Sequence, residues 1–152
     1  MGAINFNFLN RAVELALEAE KNGNLPIGAV IGLENQIVSE GFNTILKPEF
    51  NPGNHAEMNA MDGLPIPLWK RAKDLTIYTT LEPCCMCFGR ILLSGIGKVV
   101  FGAFDKQAGA GCLLPHLPAF YHEKNKPLWV GPVEPETCDP LFERSKVLYD
   151  TI

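Results

Sequence analysis

The chain has 152 residues, of which 47% are hydrophobic and 20% charged, and its formal net charge is −4 at pH 7. This length is typical of one domain with one hydrophobic core, so we predict a single domain over residues 1–152. No block of like charge occurs along the chain. Such a charge pattern argues against a strong general attraction to nucleic-acid backbones or to anionic membranes.

The N-terminal segment lacks the basic start, the unbroken apolar run and the small-residue cleavage site of a secretory signal. No apolar run is long enough to span a bilayer. The five cysteines are odd in number and have no regular spacing, which is unlike a secreted disulfide framework and typical of thiols in a reducing compartment. We therefore expect a cytoplasmic protein without a membrane partner.

The first part of the chain predicts a helix and a β-hairpin. Apolar residues recur at a spacing of three to four over residues 6–21, which predicts an amphipathic helix that ends at Asn22-Gly23. The runs GAVIGL from Gly28 and QIVSEG from Gln36 are rich in β-formers and are separated by a turn-like pair, so they predict a hairpin. A proline-containing loop over residues 47–54 leads into a short predicted helix over residues 55–62.

Strands and helices alternate in the second part of the chain. LTIYTT from Leu75 predicts a strand, CCMCFGRILLSG from Cys84 predicts a helix, and KVVFGA from Lys98 predicts another strand. A further strand is predicted over residues 128–133 and a final helix over residues 139–149. The pattern predicts an α/β fold with helices on a largely parallel sheet, to which the hairpin adds an antiparallel pair.

Two short segments hold every residue type that a zinc site needs, namely H-A-E at residues 55–57 and P-C-C-M-C at residues 83–87. Cys84 and Cys87 are three apart, so both sulfurs lie on one side of a first helical turn, and His55 can add an imidazole nitrogen. Three protein ligands leave a fourth position for water, as in catalytic zinc sites. Glu57 could accept a proton from that water.

Two other interpretations of these cysteines are weaker. A structural zinc site normally has four protein ligands, and a second C-x-x-C or a pair of suitably spaced histidines is missing from the sequence. A redox pair of the thioredoxin type would use C-x-x-C at a helix start, but it leaves H-A-E unexplained. We interpret Cys85, beside Cys84, as a small buried apolar residue.

The paired motifs H-A-E and P-C-x-x-C resemble those of the cytidine and deoxycytidylate deaminase superfamily. Within it, LPIGAV, Asn43, HAEMNAM, TLEPCCMC and GKVVFGAFDKQAGAG are similar to bacterial tRNA adenosine deaminases and their guanine deaminase relatives. The likeness spans residues 8–112 well and the tail poorly. It implies a three-layer α-β-α sandwich with a mixed five-stranded sheet and one Zn²⁺ per chain.

The resemblance also implies a role for individual residues. It implies His55, Cys84 and Cys87 as zinc ligands and Glu57 as the general acid and base. It implies a substrate pocket with three further contributors, which are Asn43, Ala56 and Asp105. Asp105 lies in a segment similar to the one by which tRNA deaminases approach nucleic acid, although a turn or a helix cap is the usual role of an Asp at such a place.

The sequence favours a small substrate over tRNA. The chain is acidic and its last helix, LFERSKVLYDTI, lacks the basic tail of tRNA-acting relatives, whereas phosphate contacts supply most nucleic-acid affinity. We therefore expect hydrolytic deamination of a nucleobase or nucleoside ring, with a free purine or pyrimidine base or a related amino-heterocycle such as guanine as the leading substrate. We expect a lid from Phe120-Tyr121 or from the residues around Tyr149. The alternative is a tRNA-specific adenosine-to-inosine deaminase.

Two further expectations concern assembly and activity. The helix after Cys84 is apolar on more than one face, so together with the resemblance it predicts a homodimer in which a second layer covers it. A zinc-stabilised binding module without catalysis is the non-enzymatic alternative. The presence of Glu57 argues against it, because that carboxylate is not needed to hold the metal.

Overall fold

The computed structural model describes residues 2–152 and contains five α-helices and five strands within them. None of these helices combines the length and the apolar character needed to cross a membrane. In chain order the elements are α1 (Phe6–Lys21), β1 (Gly28–Leu33), β2 (Gln36–Phe42), α2 (Ala56–Asp62), β3 (Leu75–Leu81), α3 (Cys85–Ser94), β4 (Lys98–Ala103), α4 (Ala119–Lys124), β5 (Leu128–Val130) and α5 (Pro135–Tyr149).

Most elements lie where the sequence predicts them, and the differences have local causes. Strand β5 ends at Val130 because Gly131-Pro132 follows, and proline offers no N–H to a ladder. Helix α5 begins four residues earlier than predicted, with Pro135 in its first turn, where a missing N–H costs nothing. Three short helices were not predicted, since their sequences contain proline or little apolar periodicity: α4 and the 3₁₀ helices Ile66–Asp74 and Ala110–His116.

The sheet is mixed, with strand order β2-β1-β3-β4-β5. Strand β1 pairs antiparallel with both β2 and β3, while β3 pairs parallel with β4 and β4 with β5. Strands β2, β3, β4 and β5 therefore run in the same direction and only β1 runs opposite to them, so the expectation of a largely parallel sheet with an antiparallel hairpin is confirmed. The predicted mixed five-stranded sheet is confirmed.

Helices cover both faces of the sheet, which confirms the three-layer architecture. On one face, α1 packs on side chains such as Val30, Tyr78 and Val100, and α5 packs against the ends of β3 and β4. On the other face, α2 and α3 pack over Ile31, Ile77 and other apolar residues of the main core. Helix α2 can approach β2 closely because Gly41 has no side chain, and a Cβ there would overlap the α2 backbone.

Candidate active site

Two helix starts meet on the α2 and α3 side of the sheet. His55 is the N-cap of α2 and has an extended backbone, with φ −70° and ψ 156°. Cys84 is the N-cap of α3, with φ −75° and ψ 176°, and Cys87 is the third residue of that helix. Cys85 is exposed, so the prediction that it is buried is wrong; it points away from the side that carries the other two sulfurs. Side chains at the N-cap and at the third helical position face each other across the first turn. This local geometry brings the two sulfurs together, while the tertiary fold adds His55.

The three potential ligand atoms have the separations that tetrahedral zinc requires. Nδ1 of His55 lies 3.5 Å from Sγ of Cys84 and 3.6 Å from Sγ of Cys87. Zinc bonds of about 2.3 Å to sulfur and about 2.0 Å to nitrogen place tetrahedral S and N ligands about 3.5 Å apart. All three atoms lie within 4.8 Å of one another. The donor set therefore fits Zn²⁺ without rearrangement.

Glu57 lies beside this triad and is buried, at 4% exposure. Its Oε2 accepts a hydrogen bond of 3.5 Å from the Cys87 thiol, and its Oε1 accepts one of 3.1 Å from the Thr79 hydroxyl. His55 precedes the helix with an extended backbone, so His55 and Glu57 do not follow helical spacing. The two side chains can therefore approach the same point from different sides.

The two cysteines titrate as a pair. The hydrogen bond from Cys87, aided by His55, lowers the pKa of Cys84 to about 4 against the opposing effect of burial. The hydrogen bond to Cys84, together with burial, raises the pKa of Cys87. Zn²⁺ binds cysteines as thiolates, so metal binding at this pair is coupled to proton release.

Burial is the largest single influence on the pKa of both Glu57 and His55, but it sets the direction of the shift only for Glu57. It raises the pKa of the Glu57 carboxyl, and the charge of His55 and the hydrogen bond from Thr79 offset this only in part. Burial acts to lower the pKa of His55, but hydrogen bonding with Cys84 and the nearby Glu57 charge raise it overall. These shifts show that the site concentrates ionisable groups out of water.

Side-chain hydrogen bonds hold the loop that carries His55. Oδ1 of Asn24 accepts from the backbone N–H groups of Leu46 and Lys47, both at 2.9 Å. Asn59, one turn into α2, donates to the Phe42 carbonyl at 2.8 Å. The proline-containing loop is thus fixed both to the end of α1 and to α2, which sets the position of His55.

Asn43 presents an unpartnered donor. The residue is 1% exposed, and its Oδ1 accepts a hydrogen bond of 3.1 Å from the Ile45 N–H. Its Nδ2 is fully buried and has no hydrogen-bond partner within residues 2–152. An unsatisfied buried N–H costs about 1–3 kcal/mol, so a donor kept in this state is suited to a ligand.

A cavity of about 270 Å³ opens beside His55 and Cys84. Its walls come from the segments after α1, β2 and β4, from the zinc-binding turns and from the C-terminal helix α5. The lining residues are Leu25, Ile45, His55, Leu81, Cys84, Asp105, Gln107, Ala108, Phe142, Ser145, Lys146 and Tyr149. Of the two lids considered from the sequence, Tyr149 lines this cavity. Phe120 and Tyr121 belong to α4 and are not among its lining residues in the described part of the chain.

The remaining predicted pocket residues differ in position. Asp105 lines the cavity, but its Oδ1 accepts from the N–H groups of Gln107 and Ala108, both at 2.9 Å, so the carboxylate also makes a local turn. Ala56 is fully buried as the first residue of α2. Neither Ala56 nor Asn43 is among the cavity-lining residues between positions 2 and 152, although Ile45, two residues after Asn43, is.

Sequence reasoning missed Thr79 and Glu82. Thr79 belongs to an ordinary strand pattern, and only the structure brings its hydroxyl to Glu57. Glu82 was part of the quoted motif TLEPCCMC but had no role assigned to it. The signal that could have found it is an acidic residue directly after a buried strand, a position that an apolar core does not explain.

Comparison with known proteins gives one family and several related structures. The model of the cytidine and deoxycytidylate deaminase zinc-binding region matches residues 4–103. The tRNA-specific adenosine deaminase of Bacillus subtilis (strain 168) is 38% identical over 112 residues, which are 72% of this chain and 68% of that protein. In another relative the chain matches as little as 58% of the protein's own length.

Two solved structures share the fold over nearly the whole chain. One comes from a study of A-to-I editing by tRNA:A34 deaminases at the wobble position; it has a TM-score of 0.76 at 26% identity and covers 89% of this chain and 99% of its own. The other is the guanine deaminase of Bacillus subtilis, with a TM-score of 0.59 at 26% identity, covering 93% of this chain and 94% of its own.

Proposed function

The chain belongs to the cytidine and deoxycytidylate deaminase family, and we propose that within this family it converts adenosine in tRNA to inosine by hydrolysis. Family membership and a zinc cofactor, both expected from the sequence, are confirmed. The chain is thus a zinc-binding enzyme of the nucleobase and nucleoside deaminase type. We further propose that residues 1–152 form one deaminase domain.

We assign zinc binding to Nδ1 of His55 and the sulfurs of Cys84 and Cys87. The observation that carries this assignment is the pair of N–S separations of 3.5 and 3.6 Å with Glu57 beside them. When bound, Zn²⁺ supplies Lewis acidity that makes a water molecule a nucleophile near neutral pH. The start of α3 favours the thiolate forms of its cysteines, because helix N-termini carry positive potential.

The proton transfers fall to Glu57. Its carboxylate takes a proton from the attacking water and delivers it to the ring nitrogen next to the amino-bearing carbon. It then moves the proton of the newly added hydroxyl group to the departing amine, so that the C–N bond breaks, ammonia leaves, and the ring gains a carbonyl where it carried the amino group. Hydrogen bonding to Thr79 fixes the carboxylate for both steps.

Substrate orientation falls to the pocket. The unpartnered Nδ2 of Asn43 can donate to the ribose or the base, and this contact would satisfy a buried donor. Ala56 offers backbone groups at the start of α2, and Asp105 helps to form the pocket wall. These three assignments follow the family resemblance and await testing.

The relatives support tRNA rather than a free base, which reverses the preference drawn from the sequence. That preference relied on the acidic net charge and on the C-terminal helix. Net charge is a property of the whole surface, whereas phosphate binding depends on the few cations near the substrate. Lys146 is such a cation and lines the cavity.

A free aminopurine such as guanine is the second candidate, and one observation favours it. Phe142, Ser145 and Tyr149 of α5 line the cavity beside His55, so the C-terminal helix narrows the access that a folded RNA loop would need. A small ring requires no such access.

The deciding experiment compares kcat/KM of zinc-loaded protein for a tRNA with adenosine at the wobble position and for free purine and pyrimidine bases and nucleosides. Inosine formation and ammonia release are measured at low and at raised salt, with Glu57→Ala protein prepared in the same way as the blank. We expect conversion of the tRNA that weakens as salt rises, because phosphate contacts release counterions. Salt-insensitive turnover of a free ring, with an inert tRNA, would establish the second candidate instead.

A further inference from the structure

Glu82 is a buried carboxylate without a cationic partner among residues 2–152. The residue is 8% exposed and directly follows β3. None of the ion pairs in the described chain includes it. A buried charge persists only where hydrogen bonds replace its water, so its donors identify what it does.

Two donors from distant parts of the chain meet at one oxygen of Glu82. Its Oε1 accepts from the backbone N–H of Gly111 at 3.1 Å and from the indole Nε1–H of Trp129 at 3.2 Å. Trp129 belongs to β5 and packs edge-on against Phe88 of α3, with ring centroids 5.2 Å apart. The carboxylate therefore joins the end of β3, the segment after β4 and strand β5.

The crowding around this carboxylate explains the motif QAGAG. A Cβ on Gly109 would overlap Oε2 of Glu82, and a Cβ on Gly111 would lie 2.5 Å from Oε1. Gly109 has a φ of −62°, so its backbone conformation does not call for glycine. A side chain there would instead collide with Glu82 and with the backbone carbonyl of Asp105, which would lie 2.8 Å from the added Cβ.

The same segment is attached to the metal-binding turn and forms a wall of the cavity. Cys84 makes an isolated antiparallel bridge with Gly109, and the Ala110 N–H donates to the Pro83 carbonyl at 2.9 Å. The cavity that α5 lines is also lined by residues just before Gly109, namely Asp105, Gln107 and Ala108. A displacement at Gly109 would therefore be transmitted both to Cys84 and to this wall.

We propose that Glu82 is a positioning residue that clamps the segment from Asp105 to Gly111 against the turn carrying Cys84 and so fixes one wall of the active-site pocket. The clamp deepens the proposed function, since the wall matters only if the pocket binds substrate. Glu82 itself touches neither the substrate pocket nor the reacting atoms.

Amide hydrogen exchange of the zinc-loaded protein tests the clamp without any substrate. Glu82→Ala removes the acceptor of two N–H groups, so exchange at residues 105–111 should rise about ten-fold or more, while strands β1 and β3 keep their protection. Glu82→Gln retains an acceptor oxygen and should restore most of the protection. Glu123→Ala, an exposed glutamate of α4, is the matched control and should leave the segment unchanged.

Trp129→Phe provides an independent second variant, because it removes only the indole donor and keeps the aromatic packing. It should raise exchange in the same segment by a smaller factor. A uniform rise across the whole protein in Glu82→Ala would mean that Glu82 merely stabilises the fold, and unchanged exchange at residues 105–111 would exclude the clamp; either result overturns the proposal.

Turnover provides the functional arm. With whichever substrate the wild-type protein converts, Glu82→Ala should raise KM by about ten-fold with a smaller effect on kcat and with zinc content unchanged. An unchanged KM despite a loosened segment would overturn the role in the pocket. If the wild-type protein converts none of the substrates, the proposed function fails, and the exchange results still decide whether Glu82 clamps the segment.

Discussion

The hydroxyl of Thr79 donates a 3.1 Å hydrogen bond to Oε1 of Glu57, although 22 residues separate the two in the chain. Both side chains are buried, at 0% and 4% exposure. Strand β3 thereby orients a carboxylate on α2 whose other oxygen accepts from Cys87. A group that transfers protons efficiently must be held in one geometry, and the hydrogen bond from Thr79 holds the Glu57 carboxylate in this way.

Thr79→Val should slow turnover without loss of metal. The substitution keeps the branched shape and removes the donor, so we expect kcat to fall about ten-fold while zinc content stays at one equivalent. Thr79→Ser should recover much of the activity, since it restores the hydroxyl. Thr76→Val, a half-buried site on the same strand, is the control. Equal losses in both valine variants would indicate a general effect on β3.

Glu57→Ala should keep zinc and the fold but lose nearly all turnover. Positioned general acid–base groups contribute about 10²- to 10⁴-fold to the rate, so a fall in kcat within or beyond that range is expected. Removing a buried carboxyl also removes its desolvation cost, so the melting temperature should not fall steeply. Elemental analysis and steady-state kinetics on the same sample check both points. Loss of zinc would make Glu57 a ligand or a structural residue and contradict its assigned role.

One equivalent of zinc should copurify with each chain, and Cys84→Ala and Cys87→Ala should each lose it. Both variants should also melt at lower temperature than the wild type, because metal-binding energy is partly folding energy. Cys112→Ala, at an exposed thiol outside the triad, is the control and should retain zinc. Less than half an equivalent of zinc in the wild type, or iron in its place, would contradict the assignment.

The protein should be a homodimer through α3. This helix exposes Leu93 at 71% and Met86 at 39%, and Gly89 between them has nothing within 4 Å of a Cβ position. A mid-helix glycine costs about 0.5–1 kcal/mol relative to alanine, and close approach of a second copy would account for it.

Light scattering of two matched variants tests this interface. Leu93→Glu should give monomers at micromolar concentration, whereas Val147→Glu, at an equally exposed site on α5, should remain dimeric. A monomeric wild type, or dissociation by both substitutions, would refute the assignment of the interface to α3.

Local chemistry made much of the fold predictable. Residues 6–21 form a helix as expected, since that segment buries one face at a regular spacing, and residues 28–42 form the expected hairpin from two runs of β-forming residues joined by a turn. The pairing of β1 with β3 was not predictable, because strand neighbours that are far apart in sequence are selected by packing rather than by period. The antiparallel β1–β3 ladder, which places the hairpin beside β3, is therefore known only from the structure.

The candidate site likewise has a part that the sequence predicts and a part that only the structure reveals. The types and spacing of residues 55–57 and 83–87 predicted a zinc site with an open fourth position and a carboxylate beside it, and the resemblance of these motifs to a known family implied the deaminase chemistry. Only the tertiary structure decided which other groups join them: the Thr79 hydroxyl at Glu57, the unpartnered amide of Asn43, and α5 as the far wall of the cavity. The physical reason is that ligand spacing within one helical turn is a local property, whereas burial and hydrogen bonding between distant segments arise only when the sheet and its helices pack.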